Sequence, residues 1–180
     1  MTPCAFALGS GARFIARGID VHKNLPDVLK AAHAHKGASF VEIFQNCIVY
    51  NDDVFAGFTE RGVADEMQLW LKAGEKMLFA GGTKGLALDT GRLALKVVPG
   101  DDPSVIIHDP TNRGVAAMLI LMPQDSFPVA LGVIYENPAP TFESAVLEQN
   151  KAAASGKTPD LQALVAKGQT WQVEKEPHQI

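Results

Sequence analysis

The segment between residues 13 and 44 limits the fold more than any other. Residues 13–19 alternate aromatic or aliphatic side chains with Arg and Ala, which reads as a strand. Asn24 is placed to cap a helix, with Pro26 in the first turn, where a missing N–H costs little. Leu25, Val28, Leu29 and Ala32 recur at helical spacing, and Gly37 is expected to end the helix, with Lys36 beside the C-terminal dipole. Phe40-Val41-Glu42-Ile43-Phe44 follows as a second strand. Strand, helix and strand make a βαβ unit, which requires the two strands to run parallel. The expected class is therefore α/β.

Beyond this unit the rhythm changes. Residues 5–8 suggest a short helix stopped by Gly9 and Gly11, and residues 63–71 suggest another, with Met67, Trp70 and Leu71 apolar. Residues 86–88 and 93–98 read as an antiparallel hairpin or meander turning at Thr90-Gly91. Residues 105–108 and 131–135 read as strands. Thr111 or Asn112 can cap a helix over residues 115–121, ended by Pro123. A helix from Thr141 to about Ala154 and a last one opened by Thr158-Pro159 complete the reading, with a loose polar tail from Glu174.

Composition excludes several classes. Hydrophobic residues make up 47% of the 180 and charged residues 20%, the balance of a globular chain with a core of its own. A formal net charge of -4 and the lack of any Lys/Arg run argue against a nucleic-acid surface. The apolar run at residues 115–122 is too short for a membrane span, which takes about 20 residues. Two cysteines, Cys4 and Cys47, do not make a disulfide framework. With no signal-peptide pattern at the N-terminus, a cytoplasmic location is expected.

Taken on residues alone, the chemistry is sparse. Gly9-Ser10-Gly11 and Gly81-Gly82 read as turns, since neither completes a dinucleotide fingerprint or a P-loop. Gln45-Asn46-Cys47 with Tyr50-Asn51-Asp52 is richer, because it follows the second strand, and ligands gather outside the carboxyl ends of strands in open α/β sheets. The plainer reading of Cys47 is a buried small hydrophobe among amides that satisfy loop backbone. His33 and His35 read as a solvated helix end, His108-Asp109 as a weak acid–base candidate, and Asp101-Asp102 as a solvated turn. Trp70 and Trp171 read as packing anchors.

Residues 3–17, 29–43 and 45–52, with the words Pro3-Cys4-Ala5-Phe6-Ala7-Leu8-Gly9-Ser10-Gly11 and Gln45-Asn46-Cys47, closely resemble the β subunit of 2-oxoacid:ferredoxin oxidoreductases. The rest follows that subunit more loosely, through His108-Asp109, residues 127–133 and Pro140-Thr141-Phe142-Glu143. The Gln-Asn-Cys wording resembles the 2-oxoglutarate branch. The resemblance implies the C-terminal half of a thiamine-diphosphate-binding fold over residues 1–53 and a mixed α+β C-terminal extension over 54–180. It also implies oxidative decarboxylation of a 2-oxoacid to an acyl-coenzyme A, with electrons passing through a four-iron four-sulfur cluster to ferredoxin. The cofactors implied are thiamine diphosphate, Mg2+ and that cluster, and the partner is an α subunit. Cys47 matches a family cluster ligand; Cys4 matches none and is expected to be structural.

The same resemblance implies an incomplete site. The family's Gly-Asp-Gly-Asp segment, its later Asn and the other three cluster cysteines precede the part matched here. The expectation is a truncated or split subunit, inactive alone, with exposed apolar surface at a strand edge where an upstream half would pair. The alternative is a non-catalytic domain that docks to the α subunit or to that upstream half. A thiol hydrolase built on Cys47 is weaker, since no His is placed by pattern to activate it.

Overall fold

A computed structural model describes residues 2–156, 158–171 and 173. The chain divides into two units, Met1–Thr141 and Phe142–Ile180.

In the first unit, β1 (Phe14–Ile19), α2 (Leu25–Ala34) and β2 (Phe40–Phe44) form the expected βαβ unit, after the short helix α1 (Pro3–Gly9). β1 and β2 pair in parallel, with Arg17 opposite Glu42. All six residues of β1 are buried, because it is an inner strand with cover on both faces. Phe14 and Ala16 face Val28 of α2, and Ile15 faces the core that holds α1.

The sheet is mixed. Its order is β2-β1-β7-β3, where β7 (Val129–Glu136) runs antiparallel to β1 and parallel to β3 (Gln68–Leu71). Residues 63–71 are thus not one helix. After two short helices, α3 (Ala56–Thr59) and α4 (Ala64–Met67), the chain switches period from helix to strand at Gln68. Leu69 and Leu71 are buried while Gln68 and Trp70 are half-buried, the period of two that helical reading overlooked.

The expected meander is present as β4 (Leu78–Phe79), β5 (Lys84–Asp89) and β6 (Ala94–Pro99). Its β5–β6 turn is tied by Asp89 Oδ1, which accepts from the N–H groups of Gly91 and Arg92 at 2.9 and 3.1 Å. Leu86 and Leu95 pack with Leu119 and Ile120 of α5 (Arg113–Ile120). Asn112 is the cap of α5, its side chain accepting from Val115 N–H at 3.1 Å.

Three further expectations are corrected. Residues 105–108 form no strand; they run beside residues 75–77, with Met77 N–H on Ile106 C=O at 2.9 Å and one bridge between Lys76 and Ile107. Helix α2 stops at Ala34, and Gly37 with φ 120° serves the loop beyond it. His35 is buried, its ring 5.3 Å from Phe14 and its Nδ1 3.4 Å from Glu136 Oε1; His33 is exposed as expected.

The second unit contains α6 (Phe142–Ala154) and α7 (Leu161–Ala166). The cap of α7 is Asp160, accepting from Ala163 N–H at 2.9 Å, one turn residue later than Thr158-Pro159 suggested. Trp171 is 84% exposed and so anchors no core. The tail from Glu174 lies outside the described residues. Among those described, no helix is long and apolar enough to cross a membrane.

Gly132 sits where β7 passes Leu71 of β3 with φ 90°, and a Cβ there would lie 2.8 Å from Leu71 O. Gly132→Ala should therefore lower stability by about 1–3 kcal/mol in urea denaturation. A second expectation concerns His108, whose Nε2 donates to Val133 O at 2.8 Å while Nδ1 is buried without a partner. Burial, partly offset by that bond, holds its pKa below the ordinary 6.5. The unfolded chain then takes up the proton first, so stability is full above about pH 6.5 and falls as pH drops below it. His108→Gln, which keeps a donor for Val133, should flatten that part of a Tm-against-pH curve; an unchanged slope would assign it to other groups.

Candidate functional site

The carboxyl end of β2 leads into the loop that carries the sequence's one reactive-looking cluster. Phe44 C=O accepts from Asp20 N–H at 3.1 Å, so the ends of β1 and β2 are tied where the loop leaves. Phe44, Phe55 and Phe58 pack their rings 5.0–5.6 Å apart beneath it. The loop is thereby anchored at both feet by aromatic packing, worth about 0.5–1.5 kcal/mol per ring pair beyond burial.

Within the loop the chain turns on itself. Asn51 N–H donates to Cys47 C=O at 2.9 Å, and the two residues form an isolated antiparallel bridge. Asn46 Nδ2 donates to Asp52 Oδ1 at 2.8 Å, which also accepts from Asp53 N–H at 3.0 Å. Asn46 therefore satisfies loop structure, as its residue type suggested. Cys47 does not follow the plainer reading, because it is exposed and not buried. The backbone N–H groups of Tyr50, Val49 and Asn51 hydrogen-bond its sulfur and hold the thiol below its ordinary pKa. A lowered thiol pKa is the kind of environment that favours metal ligation or nucleophilic reactivity.

The other thiol is its opposite. Cys4 is fully buried, donates to Glu42 Oε2 at 3.1 Å, and is pushed up to about 12, chiefly by burial. Arg17 Nε meets the same carboxylate oxygen at 2.7 Å. Cys4 is thus an inert member of a core ion-pair cluster, in line with the structural role expected of it.

His108 and Asp109 do not form an acid–base pair. His108 points to Val133 O, and Asp109 accepts from Thr111 N–H and Oγ1 at 2.9 and 2.7 Å. Asp102 likewise closes its own turn on Ser104. Among the described residues no group of three or more His, Cys, Asp or Glu is placed to hold a metal ion. Cys47 offers a single exposed thiol, and no described residue joins it as a second metal ligand.

The loop's crown is apolar: Ile48, Val49 and Tyr50 are 79%, 75% and 91% exposed. Ile43 is 42% exposed on β2, the open edge of the sheet, while Ile48, Val49 and Tyr50 lie in the turn beyond it. Sequence reading passed over His22, Lys23 and Lys76, which the fold brings around Trp70 in a cleft at the same sheet. No local pattern signals them, since they lie on separate segments.

The chain as a whole has known counterparts. No protein-family model matches it. Over 96% of its length the chain is 32% identical to the 2-oxoglutarate oxidoreductase subunit KorB of Mycobacterium tuberculosis, covering 48% of that protein. It is 26% identical over 91% of its length to 2-oxoacid:ferredoxin oxidoreductase 1, subunit beta, of Aeropyrum pernix, covering 43% of it. In fold it is similar to 2-oxoglutarate:ferredoxin oxidoreductase from Magnetococcus marinus, solved with 2-oxoglutarate, coenzyme A and succinyl-CoA bound. That match has a TM-score of 0.59 at 18% identity, over 94% of this chain and 45% of the other. The chain spans about half the length of the curated relatives it matches. It is thus similar to the β subunits of 2-oxoacid:ferredoxin oxidoreductases, and the resemblance first seen around Gln45-Asn46-Cys47 extends over nearly the whole chain.

The two thiols should differ sharply in reactivity. In the native chain iodoacetamide should alkylate Cys47 with a half-maximal rate below the pH expected for a free thiol, about 8.5. Cys4 should react only on unfolding. Peptide mapping checks both, and equal native labelling would contradict the assigned environments.

Proposed function

We propose that this chain is part of a 2-oxoacid:ferredoxin oxidoreductase of the 2-oxoglutarate type, which oxidatively decarboxylates its substrate to an acyl-coenzyme A and passes electrons to ferredoxin. Residues 1–53 belong to its thiamine-diphosphate-binding domain and residues 54–180 to an extension of it. The observation that carries the reading is Cys47, an exposed thiol beside the carboxyl end of β2, whose pKa the neighbouring backbone N–H groups of Tyr50 and Val49 lower. The names of the M. tuberculosis and M. marinus proteins favour 2-oxoglutarate as the substrate.

In this reading Cys47 supplies one ligand of a four-iron four-sulfur cluster. Such clusters take thiolates, and N–H bonds to ligand sulfur delocalise its charge and tune the potential. The remaining ligands come from outside the described residues, because none stands near enough to form a set with Cys47. The same holds for Mg2+ and the diphosphate of thiamine diphosphate, a cofactor that supplies carbanion chemistry side chains lack. Among the described residues no group of three or more His, Cys, Asp or Glu is placed to hold Mg2+.

Ile48, Val49 and Tyr50 face outward on the same loop, and burying such surface against a partner is worth roughly 25 cal/mol per Å2. The loop thus docks against the remainder of the β subunit or the α subunit while presenting its thiolate to the cluster. The chain is inactive alone and works in the cytoplasm. A purely structural docking domain would share this surface but has no use for an activated thiol.

The test reconstitutes the chain with an α subunit and the remaining β-subunit segment of a relative, then measures iron content and dye reduction dependent on 2-oxoglutarate and coenzyme A. Cys47→Ser should reduce or abolish cluster occupancy and activity, and Cys4→Ser should leave iron content unchanged. Equal iron in both variants would remove the ligand role from Cys47, and an assembled complex without turnover would leave the docking domain.

A further inference from the structure

A groove runs between the β5–β6 hairpin and the outer face of α5. It holds about 560 Å3, within the range of small-molecule sites. Leu93, Ala94 and Leu95 form its hairpin side. Gly114, Ala117, Met118 and Leu121 form its helix side, brought together by the three- and four-residue spacing of one helix face. Met122, Pro123 and Phe127 complete it beyond the end of α5. A smaller recess of about 230 Å3 lies between α1 and α5 and shares Ala117 and Leu121 with the groove, so the two meet on that helix.

Three features define what the groove accepts. First, every side chain that lines it is apolar. With no carboxylate, hydroxyl or amide side chain there, a polar group buried in it would lose water and gain no partner, so the body of a ligand has to be hydrocarbon. Met118 and Met122 are unbranched and adapt their shape to a flexible chain. Second, a cation stands at one end. Arg113 opens α5 and lines the recess beside α1, and its Nη2 donates to Leu8 O at 2.8 Å. Among the described residues no carboxylate pairs with it, and its other N–H groups remain to be offered. The positive end of the α5 dipole lies at the same place. Third, Leu93 is held at φ 52°, a left-handed conformation costly for a branched side chain, and it stands exposed on the groove's rim. Strain of this kind persists where the surroundings fix it, ligand clamps among them.

We propose that this groove binds a free long-chain carboxylate: the aliphatic chain lies along α5 against Met118, Leu121, Met122 and Phe127, and the carboxylate meets Arg113 at the helix's N-terminal end. The apolar lining fixes the chain as the part that is buried, and the single unpaired guanidinium at one end selects one anionic head over a neutral apolar surface. Chain burial supplies most of the affinity, because each buried CH2 adds a similar increment, while the exposed head pairs only weakly. The groove shares no residue with the Cys47 loop, and the assignment does not depend on the oxidoreductase reading.

The test follows release of anilinonaphthalene sulfonate from the full chain by octanoate, decanoate and dodecanoate below their micelle concentrations. Dodecanoate should displace the dye in one saturable phase with a Kd below about 100 μM, and affinity should rise about two- to fourfold per CH2 along the series. Dodecanol should bind about two- to fivefold more weakly than dodecanoate. Arg113→Gln should erase that difference and Arg113→Lys should keep it. Leu121→Glu, altered at an exposed position, should weaken dodecanoate at least about tenfold with the fold intact by circular dichroism. No saturable displacement, an affinity indifferent to chain length, or unchanged binding in Leu121→Glu would overturn the proposal. So would dye release on raising the protein concentration alone, which would give the groove to a second copy of the chain. Sedimentation with phosphatidylglycerol vesicles, without displacement by free dodecanoate, would overturn it in favour of a bilayer surface.

Discussion

The buried guanidinium of Arg17 holds the first unit together at its most expensive point. It stands in the middle of β1 and is only 6% exposed. Removing such a charge from water costs several kcal/mol, and only close, directional partners offset that. Arg17 has three. Glu42, its register partner on β2, takes Nε at 2.7 Å; Ile120 C=O at the end of α5 lies 3.5 Å from Nη2; and the Phe44 ring centroid is 5.8 Å from its central carbon. Two come from β2 and one from α5, so β1 can bury this strand face only when β2 and α5 are both in place. Arg suits the task better than Lys because its planar fork serves several acceptors at once.

The same cluster decides the fate of the two thiols. Glu42 is committed to Arg17 and also accepts the Cys4 S–H, which places Cys4 among apolar residues next to a carboxylate. Both effects favour the neutral thiol over a thiolate. Phe44 lies two residues further along β2 and begins the aromatic group under the Cys47 loop. The strand that buries and silences one cysteine therefore delivers the other to solvent five residues later in a turn rich in N–H groups. The contrast depends on where each residue falls along a single strand and its exit.

Much of this was legible in sequence wherever a local pattern decided the outcome. The β1-α2-β2 unit, the β5–β6 hairpin at Thr90-Gly91 and the Asn112 cap are all specified by neighbours within a few residues. The errors have one cause. Gln68–Leu71 was read as helix because the preceding residues are helical and because four residues are too few for their alternation to stand out; pairing with β7 settles their state. His35 was taken as solvated because a helix end is usually exposed, yet Phe14 and Glu136 come from over twenty and a hundred residues away to cover it. The plainer reading of Cys47 as a buried thiol fails for the reverse reason. A thiol is usually buried, and nothing local reports that the chain turns outward there.

This locality also explains why the Cys47 loop and the cleft around Trp70 differ in how they were found. The Gln45-Asn46-Cys47 loop is contiguous, so its chemistry is visible in eight residues of sequence. The recess around Trp70 is assembled from the exit of β1, the outward row of β3 and the Ala80–Gly82 turn, which no window of sequence joins. Both lie beyond the carboxyl ends of β1 and β2, and that follows from topology. Because β1 and β2 run parallel, their exits share one edge of the sheet. Because β7 is antiparallel to β1 and parallel to β3, β3 enters the sheet at that same edge, bringing Gln68 beside residues 22–24. Reversing either pairing would part Gln68 from His22 and leave Trp70 without the His22 ring stacked on it. The mixed sheet is thus what assembles the recess, and β7, the antiparallel strand a βαβ rhythm does not forecast, is the element on which it depends.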